Sequence, residues 1–231
     1  MSVAGTDGAL GAPYERALRT PTGPLMLHDV GRARSVRMDV DRFLAAPDEI
    51  DSALARTVDG PVLDVGCGPG RMVRAALDAG HAALGVDVSR AAVSIARRRG
   101  LPVLRRSVFD TLPAEGEWGT ALLLDGNIGI GGDPAALLGR CAGLLRSTGR
   151  LVVETHPAAR RDHRFHGMLR DDVGPSGTPF PWAEVGRLAL RAHAAGAGLE
   201  LVREWRTDAR RFAEYTRPGS LDPVVSDGIG G

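Results

Sequence analysis

Lysine is absent from this 231-residue chain, so all 29 basic residues are arginine. A guanidinium does not deprotonate in a protein, and Schiff-base or lysine-base chemistry is therefore excluded. Charge of one sign is missing too. The 29 basic residues meet 28 acidic ones, a formal net charge of +1, which gives no strong field to recruit nucleic acid or an anionic membrane. Cysteine is scarce: Cys67 and Cys141 form no disulfide framework and fit a reducing, cytoplasmic setting. No apolar run reaches the roughly 18 residues of a membrane-spanning helix. The first residues, Met1 to Pro13, lack the apolar core of a signal peptide and read as a disordered leader. No internal repeat is visible. What remains is ordinary, with 43% hydrophobic and 25% charged residues in a length that suits one α/β domain with decorations.

One stretch organises the rest. Val62-Leu63-Asp64-Val65 reads as a buried parallel strand, glycines follow at 66, 68 and 70, and Met72-Val73-Arg74-Ala75-Ala76-Leu77 resumes at helical spacing. A strand, a glycine turn and a helix start mark the place where an open α/β sheet binds its ligand. Glycine tolerates positive φ there and lets a ligand approach the backbone. The third glycine of a dinucleotide fingerprint would fall at position 71, which is Arg71. Asp64 interrupts the strand just before the turn. A carboxylate in that position is costly without a partner, and a ligand cation is a reasonable one.

Val62 to Gly70 resembles motif I of the class I S-adenosylmethionine-dependent methyltransferases. The resemblance extends over roughly residues 60–216, and Asp125-Gly126-Asn127-Ile128-Gly129-Ile130-Gly131-Gly132 and Phe180-Pro181-Trp182 are similar to segments of small bacterial type 11/12 methyltransferases. It implies a Rossmann-like, doubly wound α/β fold with a seven-stranded sheet, mostly parallel, closed by a C-terminal antiparallel hairpin. It also implies S-adenosylmethionine as cofactor and a small-molecule methyl acceptor with an oxygen, nitrogen or carbon nucleophile. Residues 1–59 are expected to form a leader and cap, 60–218 the cofactor-binding domain and 219–231 a frayed tail, in a monomer or homodimer.

The pattern supplies the elements in order. A short helix is expected at Tyr14 to Leu18, and another at Asp48 to Ala55 with acids in its first turn. Strands follow at Leu84 to Val88, near Leu101 to Arg105, from Thr120 and at Leu151 to Thr155. Residues 156–181 look least regular and read as a substrate lid loop. Trp182 to Ala195 has the spacing of an amphipathic helix, and alternating runs at 199–205 and 211–215 suggest a hairpin turning at Thr207-Asp208-Ala209.

Site candidates follow from both sources. Asp64, Gly66, Cys67, Gly68 and Gly70 form the cofactor turn. Asp87 lies 23 residues beyond Asp64, near the spacing of a ribose-binding acid, with Val88 beside it. Ser89 can cap the next helix and so leaves Asp87 available. The resemblance places Val108 and Phe109 against adenine and leaves open whether Asp110 reaches it or only closes a turn. Asp125, Gly126 and Asn127 occupy the motif IV position, beside the reacting methyl. Asn127 and His156 are the candidates for catalysis, His156 because imidazole titrates near neutral pH. Tyr14, His28, Arg32, Arg34, Arg37, Asn127 and Trp182 are the acceptor-pocket candidates, and the arginines at 32, 34, 37, 160, 161 and 164 hint at an acidic acceptor. His163 and His166, three apart without a third ligand, do not make a metal site.

Two other readings stand beside methyl transfer. One is an S-adenosylmethionine-binding protein with a regulatory or non-methyl-transfer role; the other, disfavoured by the glycine spacing, is a nicotinamide oxidoreductase. Nucleic-acid methylation is disfavoured by the near-neutral charge and by the lack of an Asn-Pro-Pro-aromatic segment after strand four.

Overall fold

The computed structural model describes residues 11–20, 23–207 and 210–219. Of the leader expected at Met1 to Pro13, residues 1–10 lie outside the described residues, as do the turn residues Asp208 and Ala209 and the tail from 220 onward; Gly11 to Pro13 open a helix instead. Among the described residues, eleven strands form two sheets and seven α-helices pack around them.

The larger sheet has seven strands. In chain order they are β3 (Val62–Val65), β4 (Ala83–Asp87), β5 (Val103–Arg105), β6 (Trp118–Leu123), β7 (Leu145–Glu154), β10 (Glu200–Thr207) and β11 (Arg210–Thr216). They lie side by side as β10-β11-β7-β6-β3-β4-β5. The five strands from β7 to the β5 edge pair in parallel, while β11 runs antiparallel to β7 and β10. The order reverses at β3, so a crevice opens outside the carboxyl ends of β3 and β6.

Alternation along the strands shows that both faces are covered. Leu63, Val65, Leu123, Val153 and Tyr215 pack on one side with α6 (Pro134–Leu144) and α7 (Arg187–Gly196). Val62, Leu122, Leu124, Val152 and Phe212 pack on the other with α3 (Glu49–Thr57) and α4 (Arg71–Asp78). That is why these strands read as continuous apolar runs. The helix starts also follow the sequence. Asp48 and Asp51 close a capping box on α3, and Ser89 accepts a hydrogen bond from Ala92 N at 3.2 Å to start α5 (Arg90–Arg98). Each such cap contributes about 1 kcal/mol.

The second sheet holds the main departure from the sequence reading. Its strands are β1 (Leu25–Asp29), β2 (Arg34–Met38), β8 (Asp162–Arg170) and β9 (Phe180–Val185), in the antiparallel order β2-β1-β8-β9. The stretch expected to be an irregular lid thus contains β8 and the first two residues of β9, and β8 pairs with a hairpin near the start of the chain. Its period of two is disguised by polar residues: His163, Phe165, Gly167 and Leu169 turn inward, while Asp162, Arg164, His166 and Arg170 face out. The helix expected from Trp182 begins only at Arg187, because Phe180–Val185 is strand. At Gly186 an added Cβ would sit 2.0 Å from Ala158 O, so only glycine allows β9 to end against that segment. Together with α1 (Gly11–Arg19) and α2 (Val40–Leu44), this sheet caps the crevice. Tyr14, Leu18, Leu25, Leu27, Leu169 and Phe180 share an apolar cluster with Ala91, Ala92 and Ile95 of α5.

Candidate active site

Between the cap and the carboxyl ends of the parallel strands lies one large cavity, with an empty volume of about 1440 Å³ including its open mouth. Its floor is the glycine turn. Gly66 and Gly68 have φ of 71° and 53°. A Cβ on Gly66 would come within 2.7 Å of Asn127 Nδ2, so the backbone is bare at the point where a ligand would meet it. Gly70 also has positive φ, 88°, but it starts α4 and does not line the cavity. A Cβ there would meet Leu101 Cδ1 at 2.5 Å; this glycine serves helix packing rather than the ligand.

Two buried carboxylates bracket the turn. Asp87, ending β4, accepts from Gly68 N and Ser89 N, both at 2.8 Å. It is thus partnered rather than free, and it holds the turn in shape. Burial raises its pKa despite those amides. Asp64 is only 4% exposed, and no hydrogen-bond donor among the described residues reaches it. Burial, opposed by Arg71 and reinforced by Asp125 and Asp87, pushes its pKa up to about 7. An acid so placed is stabilised by a cation arriving in the cavity.

A buried ion network supports the turn from behind. Asp51, fully buried, meets Arg71, Arg42 at 3.2 Å and Arg210 at 2.7 Å. Arg71 also pairs with Asp125, and its Nε is buried without a partner. Asp125 has φ of 52°, a left-handed conformation tolerated by aspartate. Glu154 holds it there, accepting from Asp125 N at 2.9 Å while pairing with Arg210. Arg71 was not singled out from the sequence; the only hint was its place directly after the last glycine of the turn.

Of the cofactor-turn candidates, Asp64, Gly66, Cys67, Gly68, Asp87, Val88, Val108, Phe109 and Asp125 line the cavity. Burial raises the Cys67 thiol well above its usual pKa, so this cysteine is inert packing. Asp110 does not line the cavity: its carboxylate accepts from Ser107 N at 3.0 Å, closing a surface turn. Gly126 is likewise outside, a φ of 86° bending the chain into the 3-10 helix Asn127–Gly132.

Among the acceptor and catalytic candidates, Tyr14, Asn127 and Trp182 line the cavity. Asn127 donates to Val65 O and Gly66 O at 2.9 and 3.0 Å, so its amide braces the glycine turn. Tyr14 is buried, which keeps its phenol protonated as a donor. The remaining candidates, Arg32 and Arg34 included, lie off the cavity lining. His28 and Arg37 sit on the outer face of the cap, one residue out of phase with the lining residues Leu27 and Met38; His28 Nδ1 lies 2.9 Å from Ser35 Oγ. His156 accepts from Ala158 N at 3.0 Å, bridges to Gly186 and lies away from the cavity lining. Burial lowers its pKa.

The sequence reading also missed the cap's share of the wall, Leu27, Met38, Phe43, Leu169 and Phe180. The alternation of β1 and β8 was the available signal. Five of the chain's ten aromatic residues, Tyr14, Phe43, Phe109, Phe180 and Trp182, line this one cavity.

Comparison with known proteins agrees with this geometry. A family model described as a methyltransferase domain matches residues 37–204. No curated protein sequence matches. Among solved structures, an S-adenosylmethionine-dependent methyltransferase from Bacteroides fragilis in complex with S-adenosylhomocysteine is similar at a TM-score of 0.70 and 20% identity. That match covers 94% of this chain and 98% of the other. The CcbJ methyltransferase from Streptomyces caelestis matches at a TM-score of 0.55 and 20% identity, over 72% of this chain and 94% of the other. The Burkholderia thailandensis 1,6-didemethyltoxoflavin-N1-methyltransferase, with its substrate and S-adenosylhomocysteine bound, matches at 0.55 and 19% identity, over 73% and 77%.

Proposed function

The chain belongs to the methyltransferase-domain family, and we propose that it transfers a methyl group from S-adenosylmethionine to a nucleophile on a small-molecule acceptor. The observation that carries this reading is the pair of buried carboxylates, Asp64 and Asp87, on either side of a bare glycine turn at the switch point of the sheet. Solved structures of the same fold bind S-adenosylhomocysteine, and one of them also holds a small-molecule acceptor.

The residues divide the work by position. Asp64 faces the site of a ligand ammonium, and the lone pairs of Asp87 not used by Gly68 and Ser89 suit a pair of ribose hydroxyls. Val88, Val108 and Phe109 offer an apolar slot for a planar base. The bound sulfonium supplies an electrophilic methyl with a good leaving group. What the protein adds is alignment under the cap, for which intramolecular models allow about 7–11 kcal/mol. Tyr14 can donate one hydrogen bond near the glycine turn, and Trp182 closes the wall opposite. With His156 outside the cavity and the Asn127 amide committed to the backbone, neither is assigned a proton-transfer role.

Mass spectrometry of reactions with a panel of small-molecule acceptors tests this reading. The expected result is S-adenosylhomocysteine formed in step with an acceptor heavier by one methyl group. Formation of other cofactor fragments, with no methylated acceptor, would refute methyl transfer.

A further inference from the structure

The concave face of the cap changes character along its length. Strand parity places Met38, Val36 and Arg34 of β2 on that face, with Leu25, Leu27 and Asp29 of β1, Leu169, Phe165 and His163 of β8, and Phe180, Trp182 and Glu184 of β9. The half nearest the glycine turn is apolar and lines the cavity through Leu27, Met38, Leu169, Phe180 and Trp182. Phe165 stands opposite Trp182 and extends this wall outward; His163 stacks on it at 4.9 Å. Val36, 38% exposed on the same face, leaves apolar surface bare beside it.

The outer half is polar. Arg34 Nη1 reaches both oxygens of Glu184, at 2.9 and 2.7 Å, and Arg161 meets Glu184 Oε2 through Nε and Nη2 at 2.8 and 2.5 Å. Two guanidinium groups thus share one carboxylate, and Nε and Nη2 of Arg34 have no partner among the described residues. Asp29, 3% exposed, has its Oδ2 2.8 Å from His163 Nε2. The cavity floor carries Asp64, Asp87 and Asp125 together with Arg71 and Arg106.

Resting on the proposed methyl transfer, we propose that the acceptor is a planar, apolar molecule bearing a carboxylate. Its rings lie along Trp182 and Phe165, and Arg34 at the outer rim of the cap reads its carboxylate. Arg34 at the rim attracts such an anion, and this contact orients the acceptor with its nucleophilic end inward. A carboxylate matches the planar guanidinium fork, which an ammonium or a neutral amide does not. Arg34 is a specificity-determining residue in this account, and Glu184 is its internal competitor.

The test is calorimetric binding to the protein saturated with S-adenosylhomocysteine. Probes are hydroxy- and amino-substituted benzoic and naphthoic acids, each paired with its primary carboxamide. The acids should bind about ten-fold or more tightly than the amides, in line with a charge-assisted hydrogen bond in a half-buried site. Arg34→Gln should erase that preference while leaving S-adenosylhomocysteine affinity in place, and Glu184→Gln should tighten the acids. Opposite signs for two members of one ion pair would not come from a merely structural role. Amides that bind as well as acids, acids that fail to bind, or an Arg34→Gln variant that keeps the preference would each overturn this inference alone. If the parent protein failed to bind S-adenosylhomocysteine, the cofactor reading would fall and this inference with it.

Discussion

Cofactor affinity should depend on pH through Asp64, and the size of the effect can be worked from its surroundings. Its pKa rises from 3.8 to about 7, chiefly because burial disfavours the charged form. For a group of that pKa the ionised fraction is about 0.09 at pH 6 and about 0.9 at pH 8. If the ligand ammonium binds only the ionised carboxylate, S-adenosylhomocysteine should bind about ten-fold more tightly at pH 8 than at pH 6. Binding near neutrality should release a fraction of a proton. The ligand-free protein should respond in the opposite sense. Because the folded state keeps a proton that the unfolded chain has lost between about pH 4 and pH 7, raising the pH across that window should lower stability. The loss over the three or so pH units is on the order of 4 kcal/mol, and the stability is present in full below the unfolded pKa. Titration calorimetry at the two pH values, in buffers of different ionisation enthalpy, reads affinity and proton count together. Asp64→Asn should flatten the pH dependence. An affinity independent of pH in the parent, or an Asp64→Asn variant that keeps the same slope, would refute the assignment of Asp64 to the ligand cation.

Two further perturbations separate structural from chemical roles. Asp51→Asn removes the fully buried carboxylate shared by Arg42, Arg71 and Arg210. Each arginine keeps a second carboxylate, Asp125 for Arg71 and Arg42 and Glu154 for Arg210, so the loss in urea unfolding should fall short of the ~3–5 kcal/mol of a stranded buried charge yet exceed about 1 kcal/mol; a smaller loss would show that the network does not depend on Asp51. His156→Ala should leave kcat within about two-fold for any acceptor found, since the imidazole lies off the cavity lining. A loss of about a hundred-fold, in a variant that still binds S-adenosylhomocysteine, would return His156 to the chemistry.

The parallel core was legible because each of its signals is local. Val62 to Gly70 holds strand, turn and helix start within one short stretch, and the Ser89 cap and the Asp48–Asp51 capping box are written in neighbouring positions. The cap was not legible, since its sheet pairs Met26–Asp29 with Gly167–Arg170 across most of the chain and no local pattern announces such a partner. That pairing also determines which candidates face the cavity. A one-residue change of phase separates Leu27 from His28 and Met38 from Arg37, and side-chain chemistry alone favoured the wrong member of each pair. Asp125 and Asn127 line the cavity, but their partners Arg71, Glu154 and the Val65 carbonyl emerge only from the folded contacts.

The measurement that bears most directly on the central claim is titration of the purified protein with S-adenosylmethionine, S-adenosylhomocysteine and NADH, repeated with Asp87→Ala. The account predicts dissociation constants on the order of micromolar for the two sulfur ligands, no binding of NADH, and a marked loss in the variant. Binding of NADH in place of the sulfur ligands, or an Asp87→Ala protein that holds S-adenosylhomocysteine as tightly as the parent, would contradict it.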